Sequence, residues 1–280
     1  MKYSEIEDDS IVIPPGRIAL GVEYMGAAYS GWQRQASVDA VQTRVEDGLE
    51  SIIRQAISVT CAGRTDAGVH ATAQVVHFDS PVARPLKAYT RGMNTVLPKD
   101  IAITWARPVS SEFHARFSAK SRRYRYVIYN NQLRSGLFNS GLTHVHQPLN
   151  VSLMQEAAQS LLGKHDFTSF RASHCQSKTA SRNIHHIKLY RQQQYIVVDV
   201  KANAFLHHMV RNIVGSLIDV GIGEKPVNYI ADVLAMKDRT KASTTAKPNG
   251  LYLVEVEYDS HFGLEKTDIG PLFLAELENT

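Results

Sequence analysis

The sequence predicts an α+β fold built from two similar halves. Three observations carry that prediction: strands with two-residue apolar alternation, helices with apolar stripes at three- and four-residue spacing, and the order strand, helix, strands, helix, strand occurring twice. In the first half, Arg17 to Tyr24 alternates Ile18, Leu20, Val22 and Tyr24 against Ala19, Gly21 and Glu23, the pattern of a half-buried strand. After the turn-rich Gly26 to Gly31, Asp39-Ala-Val-Gln42 has the spacing of a capping box. Val41, Val45, Leu49, Ile52 and Ile53 then form one helical stripe. Val59 to Ala62 reads as a short strand entering a turn, and Gln74 to Phe78 as a strand leaving it. Pro85 suits the first position of a helix that ends before Pro98, and Ile101 to Arg107 is a further strand.

The second half begins with the alternating strand Arg122 to Tyr129, with Arg123, Arg125, Val127 and Tyr129 on one face and Tyr124, Tyr126 and Ile128 on the other. Ser152 to Leu162 reads as a helix stopped by Gly163. His186 to Tyr190 and Tyr195 to Ala202 read as paired strands around a polar turn. Phe205 to Val220 is a predicted helix with the stripe Met209, Val210, Ile213, Val214 and Leu217, and Gly221 ends it. Its neighbouring His207 and His208 would point about a quarter-turn apart on such a helix, which fits packing or contact with a bound partner better than one shared metal. Val227 to Met236 and Leu251 to Tyr258 complete the core as helix and strand. The predicted divisions are an extension at 1–15, domains at 16–112 and 113–259, and a second extension at 260–280.

The 280 residues are 44% hydrophobic and 21% charged, ordinary values for a globular protein. There is no apolar run of about 18 residues, so no membrane span is predicted. Glu5, Glu7, Asp8 and Asp9 give the N-terminus the wrong charge for a targeting peptide. Cys61 and Cys175 are too few for a disulfide framework and lack zinc-ligand spacing. The expectation is a cytoplasmic protein without metal or cofactor.

Cys61-Ala-Gly-Arg-Thr-Asp-Ala-Gly-Val-His-Ala71 holds the candidate chemistry. Gly63 and Gly68 flank Asp66 and let the backbone turn tightly. Arg64 is near enough in sequence to favour the ionised carboxylate. These residues fit a nucleophile or base, and equally an Asx-type turn with a surface ion pair.

Charge is unevenly spread. Phe113 to Val198 contains only two acids, Glu156 and Asp166, against twelve Lys and Arg, a net +10 in a chain whose total is +4. Phe113, His114, Phe117, Tyr124, Tyr126, Phe167, Phe170 and His174 are interleaved with those cations. Cations for phosphates and flat rings for unstacked bases fit a folded RNA. A solvated basic face is the other reading. Arg116, Arg122, Arg123 and Arg125 are the cations expected to make binding salt-dependent. Taken by itself, Arg211 reads as an exposed helix arginine.

Several segments, in order, resemble the bacterial tRNA pseudouridine synthase A family. They are Gly31-Trp-Gln-Arg-Gln35, Ala62-Gly-Arg-Thr-Asp-Ala-Gly-Val-His70, Met93-Asn94, Phe113-His-Ala-Arg-Phe-Ser118, Arg122-Arg-Tyr-Arg-Tyr126, Asp166-Phe-Thr-Ser-Phe-Arg171, Ala202-Asn-Ala-Phe205, His208-Met-Val-Arg-Asn-Ile-Val-Gly-Ser216 and Gly250-Leu-Tyr-Leu253. The resemblance implies the pseudouridine synthase fold, two similar antiparallel or mixed sheets backed by helices with the active-site cleft between them. It implies isomerisation of uridine to pseudouridine at positions 38, 39 and 40 of the tRNA anticodon stem-loop, by base flipping, without cofactor, in a homodimer. Asp66 then corresponds to the catalytic carboxylate and Arg64 to an RNA contact that helps flip the base. Tyr124 matches the ring stacking on that base and a candidate for the later proton transfer, Arg211 the basic partner of the acid, and Leu251 an apolar wall of the uracil pocket. Phe113, His114, Ala115, Arg116 and Phe117, then His174, Cys175, Gln176, Ser177 and Lys178, match RNA-contacting stretches, and Arg84 joins the same substrate-binding set. Whether the carboxylate adds to the ribose, takes a ribose proton or adds to the uracil ring stays open. A non-catalytic RNA-binding module would not need Asp66, and a single-Asp hydrolase would not need the +10 segment.

Overall fold

A computed structural model of the chain describes residues 11–264, 268–271 and 274. The acidic positions Glu5, Glu7, Asp8 and Asp9, and part of the expected extension at 260–280, lie outside the described residues. The chain forms two compact units, one running to Lys120 and resuming at Leu253, the other from Ser121 to Tyr252.

The first unit contains β1 (Val12–Ile13), β2 (Gly16–Tyr24), α1 (Val41–Ile53), β3 (Thr60–Cys61), β4 (His70–Ser80), β5 (Arg84–Pro85), α2 (Met93–Val96) and β6 (Ile101–Pro108). β2 pairs antiparallel with β4 on one side and β6 on the other, so that Leu20 faces Val76 and Ala106. β3 pairs with β4 through Cys61 and Val76. The alternation in β2 predicted one wet face, but Ile18, Ala19, Leu20 and Val22 are all fully buried. The small residues of the second face explain this. Ala19 belongs to a core with Ala62, Val75, Phe113 and Ala115, and a side chain at Gly21 would collide with the Trp105 indole. Alanine and glycine there admit an aromatic cover, which a polar-looking pattern conceals.

Two local predictions in this unit are corrected. Asp39 does not cap α1; Ala40 is the N-cap and makes no side-chain bond. The backbone N–H groups of Val41 and Gln42 donate instead to the carbonyls of Gly31 and Trp32, at 3.2 and 3.0 Å. Those donors are satisfied without a box, and Asp39 pairs with Arg44 at 2.7 Å. Pro85 does not start a helix. It lies in β5, antiparallel to β1, and a π-helical turn over Ala88–Gly92 leads into α2.

The second unit contains β7 (Ser121–Asn130), β8 (Thr143–Val145), α3 (Val151–Ala158), β9 (Gly163–Asp166), β10 (Ser181–Gln192), β11 (Tyr195–Ala202), α4 (Met209–Gly221) and α5 (Tyr229–Met236). Its sheet runs β7-β11-β10-β9, antiparallel throughout, and β8 joins β7 in parallel. α3 packs on β10, α4 and α5, with Met154, Ala157 and Ala158 turned inward. Asn150 caps α3 by accepting from Leu153 N–H at 3.2 Å. The last strand, β12 (Leu251–Glu257), starts in this unit and has its residues from Leu253 in the first.

The division falls after Lys120, not at Glu112. Phe113 and Ala115 belong to the first core, Tyr258 Oη donates to the Ala115 carbonyl at 2.6 Å, and Lys120 N–H to the Glu257 carbonyl at 2.8 Å. Among the described residues, no helix is long and apolar enough to cross a membrane.

Candidate active site

Asp66 lies in the loop between β3 and β4, half-buried, with Arg64 exposed beside it. The loop is clamped at several points. Trp32 N–H donates to the Thr65 carbonyl at 3.1 Å, Gly68 N–H to the Tyr29 carbonyl at 3.3 Å, and Val69 N–H closes a turn on the Asp66 carbonyl at 3.1 Å. Thr65 Oγ1 and Tyr24 Oη share a hydrogen bond of 2.8 Å, and the buried Gln74 amide donates to the Gly63 carbonyl at 2.6 Å. Of the two shoulder glycines, Gly68 takes φ +78°, a left-handed conformation that favours glycine, and Gly63 does not take a positive φ. A second glycine is as important. Gly31, at φ +93°, passes so close that a Cβ there would sit 2.7 Å from the Thr65 carbonyl oxygen. Its position in the Gly31-Trp32 segment was its only sequence signal.

Cys61 ends β3 just before this loop. Burial, outweighing the nearby Arg64 charge, pushes its thiol up to about 11, so it is protonated at neutral pH.

In the second unit Tyr124 is buried on β7, its ring edge-on to Phe205 at 5.0 Å. Arg211 is half-buried in the first turn of α4; its Nε donates to the Ala246 carbonyl at 2.8 Å and its own carbonyl accepts from Ala246 N–H at 3.1 Å. The helix begins at Met209, after the predicted start at Phe205, because His208 takes φ +60° and breaks it. His207 and His208 therefore precede the helix, and their rings lie 4.0 Å apart instead of diverging. Leu251 is buried at the start of β12.

The stretches expected to contact RNA divide by exposure. Phe113 and Ala115 are fully buried, whereas Arg116 and Phe117 are exposed, Phe117 to 76%. His174, Gln176 and Lys178 are exposed on a loop tied down by Arg171, which donates to the carbonyls of Cys175 and Ser177, each at 2.7 Å. Burial would raise the Cys175 thiol, but N–H groups of His207 and Ser177 and the Arg171 guanidinium outweigh it and hold the pKa below the usual thiol value. Arg84 donates to the carbonyls of Ile52 and Ile53 at the end of α1, at 3.1 and 3.5 Å.

Three arginines expected on the RNA face have structural duties. Arg123 grips Asp199 with Nε and Nη2 at 2.6 and 2.7 Å, and Arg125 donates to the same carboxylate at 2.9 Å. Arg125 is fully buried, and Arg122, also buried, donates to the Asn203 carbonyl at 3.2 Å. Asp199 lies one residue beyond the acid-poor segment, so a charge count over 113–198 does not include it.

Comparison with known proteins agrees with this arrangement of motifs. A family model described as tRNA pseudouridine synthase matches residues 21–118 and 157–259. The tRNA pseudouridine synthase A of Pseudoalteromonas translucida (strain TAC 125) is 58% identical over 261 residues, covering 93% of this chain and 99% of that protein. Those of Histophilus somni (strain 2336) and Shewanella woodyi (strain ATCC 51908 / MS32) are each 58% identical over 260 residues, covering 93% of this chain and 97% and 100% of theirs. With most of its length matched by the family and more than half its residues shared with these relatives, the chain belongs to the tRNA pseudouridine synthase family.

Proposed function

We propose that this chain isomerises uridine to pseudouridine in tRNA, with Asp66 as the catalytic carboxylate. The observation that carries the assignment is the clamped glycine loop. It holds a half-buried carboxylate in a tied-down loop between two strands. The reaction breaks the N-glycosidic bond, turns the uracil and forms a carbon–carbon bond, so atoms balance within one nucleotide. An ionised carboxylate serves as nucleophile or base for it. A stem uridine must first leave its stack, at a cost of a few kcal/mol that aromatic and arginine contacts offset.

The finer assignments belong to the same reading. The substrate is the anticodon stem-loop at positions 38, 39 and 40, and the working form is a cytoplasmic homodimer. Arg64 engages the RNA, Tyr124 receives the base, Arg211 supplies the cation for the acid, and Leu251 lines the uracil site. The exposed Arg116, Phe117, His174, Gln176 and Lys178 support RNA contact by these stretches, with Phe113, Ala115 and Ser177 shaping them.

Asp66→Asn tests the proposal. The variant is expected to bind tRNA nearly as well as the parent and to form no pseudouridine. Full activity in Asp66→Asn on an anticodon-stem substrate would remove Asp66 from the chemistry.

A further inference from the structure

Three successive backbone N–H groups in the Phe113–Ser118 turn end on imidazole nitrogens. Ala115 N–H donates to His77 Nδ1 at 3.1 Å, and Arg116 and Phe117 N–H both donate to His114 Nδ1 at 3.2 Å. Ser118 closes the turn, its Oγ accepting from His114 N–H at 3.0 Å and its N–H donating to the His114 carbonyl at 2.9 Å. An imidazole nitrogen accepts only while unprotonated, so both rings must be neutral with the proton on Nε2.

The rings also form a row from the core outward. Phe113 meets His77 edge-on at 6.0 Å, His77 meets His114 at 4.8 Å, and His114 lies 4.3 Å from Phe117 with the planes 30° apart. Phe117 is 76% exposed, and the Arg116 guanidinium stands 5.5 Å from its ring centre. An exposed Phe supported by stacked rings and flanked by a cation is a platform for a flat group from outside.

Burial, assisted by nearby cations, keeps the two imidazoles neutral. Burial is the main cause for His77, followed by His114 and Arg17, while Asp79 opposes; its pKa falls to about 4. Burial and then Arg17 and Arg116 lower His114 as well. Arg17 is fixed by Asp79 at 2.8 Å and donates to the Ser111 and Phe113 carbonyls at 2.6 and 3.0 Å.

We propose that His77 and His114 are positioning residues for substrate binding. Through their Nδ1 acceptors they pre-shape this turn, so that Phe117 stacks on an unpaired base of the tRNA and Arg116 meets its phosphate backbone. The inference rests on the proposed tRNA activity. It adds to it that the platform is rigid before RNA arrives, which lowers the ordering cost of binding.

The test uses the full chain and a transcribed tRNA, measuring Kd by anisotropy and pseudouridine formation for kcat and KM. Phe117→Ala, at an exposed site, and His114→Ala are each expected to raise Kd and KM about tenfold, in line with one lost base stack, with kcat within about twofold. His114→Asn is expected to restore most of the affinity, since Asn Oδ1 occupies the place of Nδ1 and accepts the same N–H bonds. His77→Asn is expected to outperform His77→Leu in the same way. The double variant His114→Ala with Phe117→Ala is expected to bind no worse than either single one. Unchanged affinity in Phe117→Ala, Asn no better than Ala at position 114, or a loss confined to kcat would each overturn the proposal. A parent protein that forms no pseudouridine in tRNA would instead overturn the reading beneath it.

Discussion

Replacing Asp199 by Asn takes one negative charge from a cluster that holds two arginines out of water. The Asp199 side chain is 2% exposed and that of Arg125 1%, with Arg123 at 17%. Three charge-assisted bonds of 2.6 to 2.9 Å converge on the carboxylate, two of them the fork of Arg123. Asparagine keeps the volume and one acceptor, but it turns an NH2 donor toward guanidinium donors. Removing one partner of a buried ion pair costs about 3–5 kcal/mol, because the surviving charge stays desolvated. Measured against a total stability on the order of 5–15 kcal/mol, that is a severe loss. The triple change Asp199→Leu, Arg123→Met and Arg125→Met removes the carboxylate and both guanidinium groups, leaving His186 beside them, and is expected to recover most of it. Both tryptophans, Trp32 and Trp105, lie in the first unit. Unfolding of the second unit in urea is therefore best followed by the near-ultraviolet dichroism of its tyrosines. A loss below about 1 kcal/mol in Asp199→Asn would refute the view that the carboxylate anchors β7 to β11.

Arg116→Gln is expected to shallow the dependence of tRNA affinity on salt by close to one ion, about 0.7–0.9 in the log–log slope, while Arg125→Met leaves the slope unchanged; equal slopes for parent and Arg116→Gln would remove that contact. Gly31→Ala meets both a φ of +93° and the Thr65 carbonyl, and is expected to cost about 1–3 kcal/mol in stability and to lower kcat through the Asp66 loop; melting and turnover like the parent would show that the loop tolerates the shift. His77 supplies a pH term. Its pKa of about 4 lies below the unfolded value of 6.5, so the unfolded chain binds the proton first as pH falls. The stabilisation, up to about 3 kcal/mol, is complete above pH 6.5, declines toward pH 4 and is then gone. The stability gap between parent and His77→Asn should shrink over that window, and a constant gap between pH 7 and 4.5 would contradict it.

Long amphipathic elements were legible in the sequence, because period and burial coincide in them. Of the predicted α1 stripe, Val41, Val45, Leu49 and Ile53 are buried and Ile52 is half-buried, and the paired strands β10 and β11 form around their polar turn. Elements decided by distant partners were not. The short β5 exists because β1 supplies its pairing edge, which overrides the helix preference of the Pro85 region. The capping box failed because the Gly31 and Trp32 carbonyls reach the same N–H groups first. At the site, Asp66 and its shoulder glycine were visible as a motif. Tyr24, Gln74 and His77, which hold the Thr65 hydroxyl, the Gly63 carbonyl and the Ala115 N–H, look like ordinary polar or aromatic strand residues until the chain is folded.

The same distinction applies to the basic segment. Arginine supplies its framework: Arg122 bonds a carbonyl, Arg123 and Arg125 share Asp199, and Arg171 and Arg182 donate to backbone carbonyls of the 174–181 region. Lys164, Lys178 and Lys188 stay on the surface. A guanidinium has five donors in a rigid plane and can satisfy several carbonyls at once, which a lysine cannot. Using arginine with neutral acceptors lets the segment order its loops with few carboxylates. It also leaves the charge in place. Arg171 and Arg182 are bound to carbonyl oxygens, so they still add to the long-range positive field although they present no exposed contact. Two Arg on one Asp199 likewise leave a net positive unit. The +10 of the segment is therefore larger than the set of cations able to touch a phosphate. Steering of RNA should depend on the whole segment, and the contact-specific salt slope on the exposed residues alone.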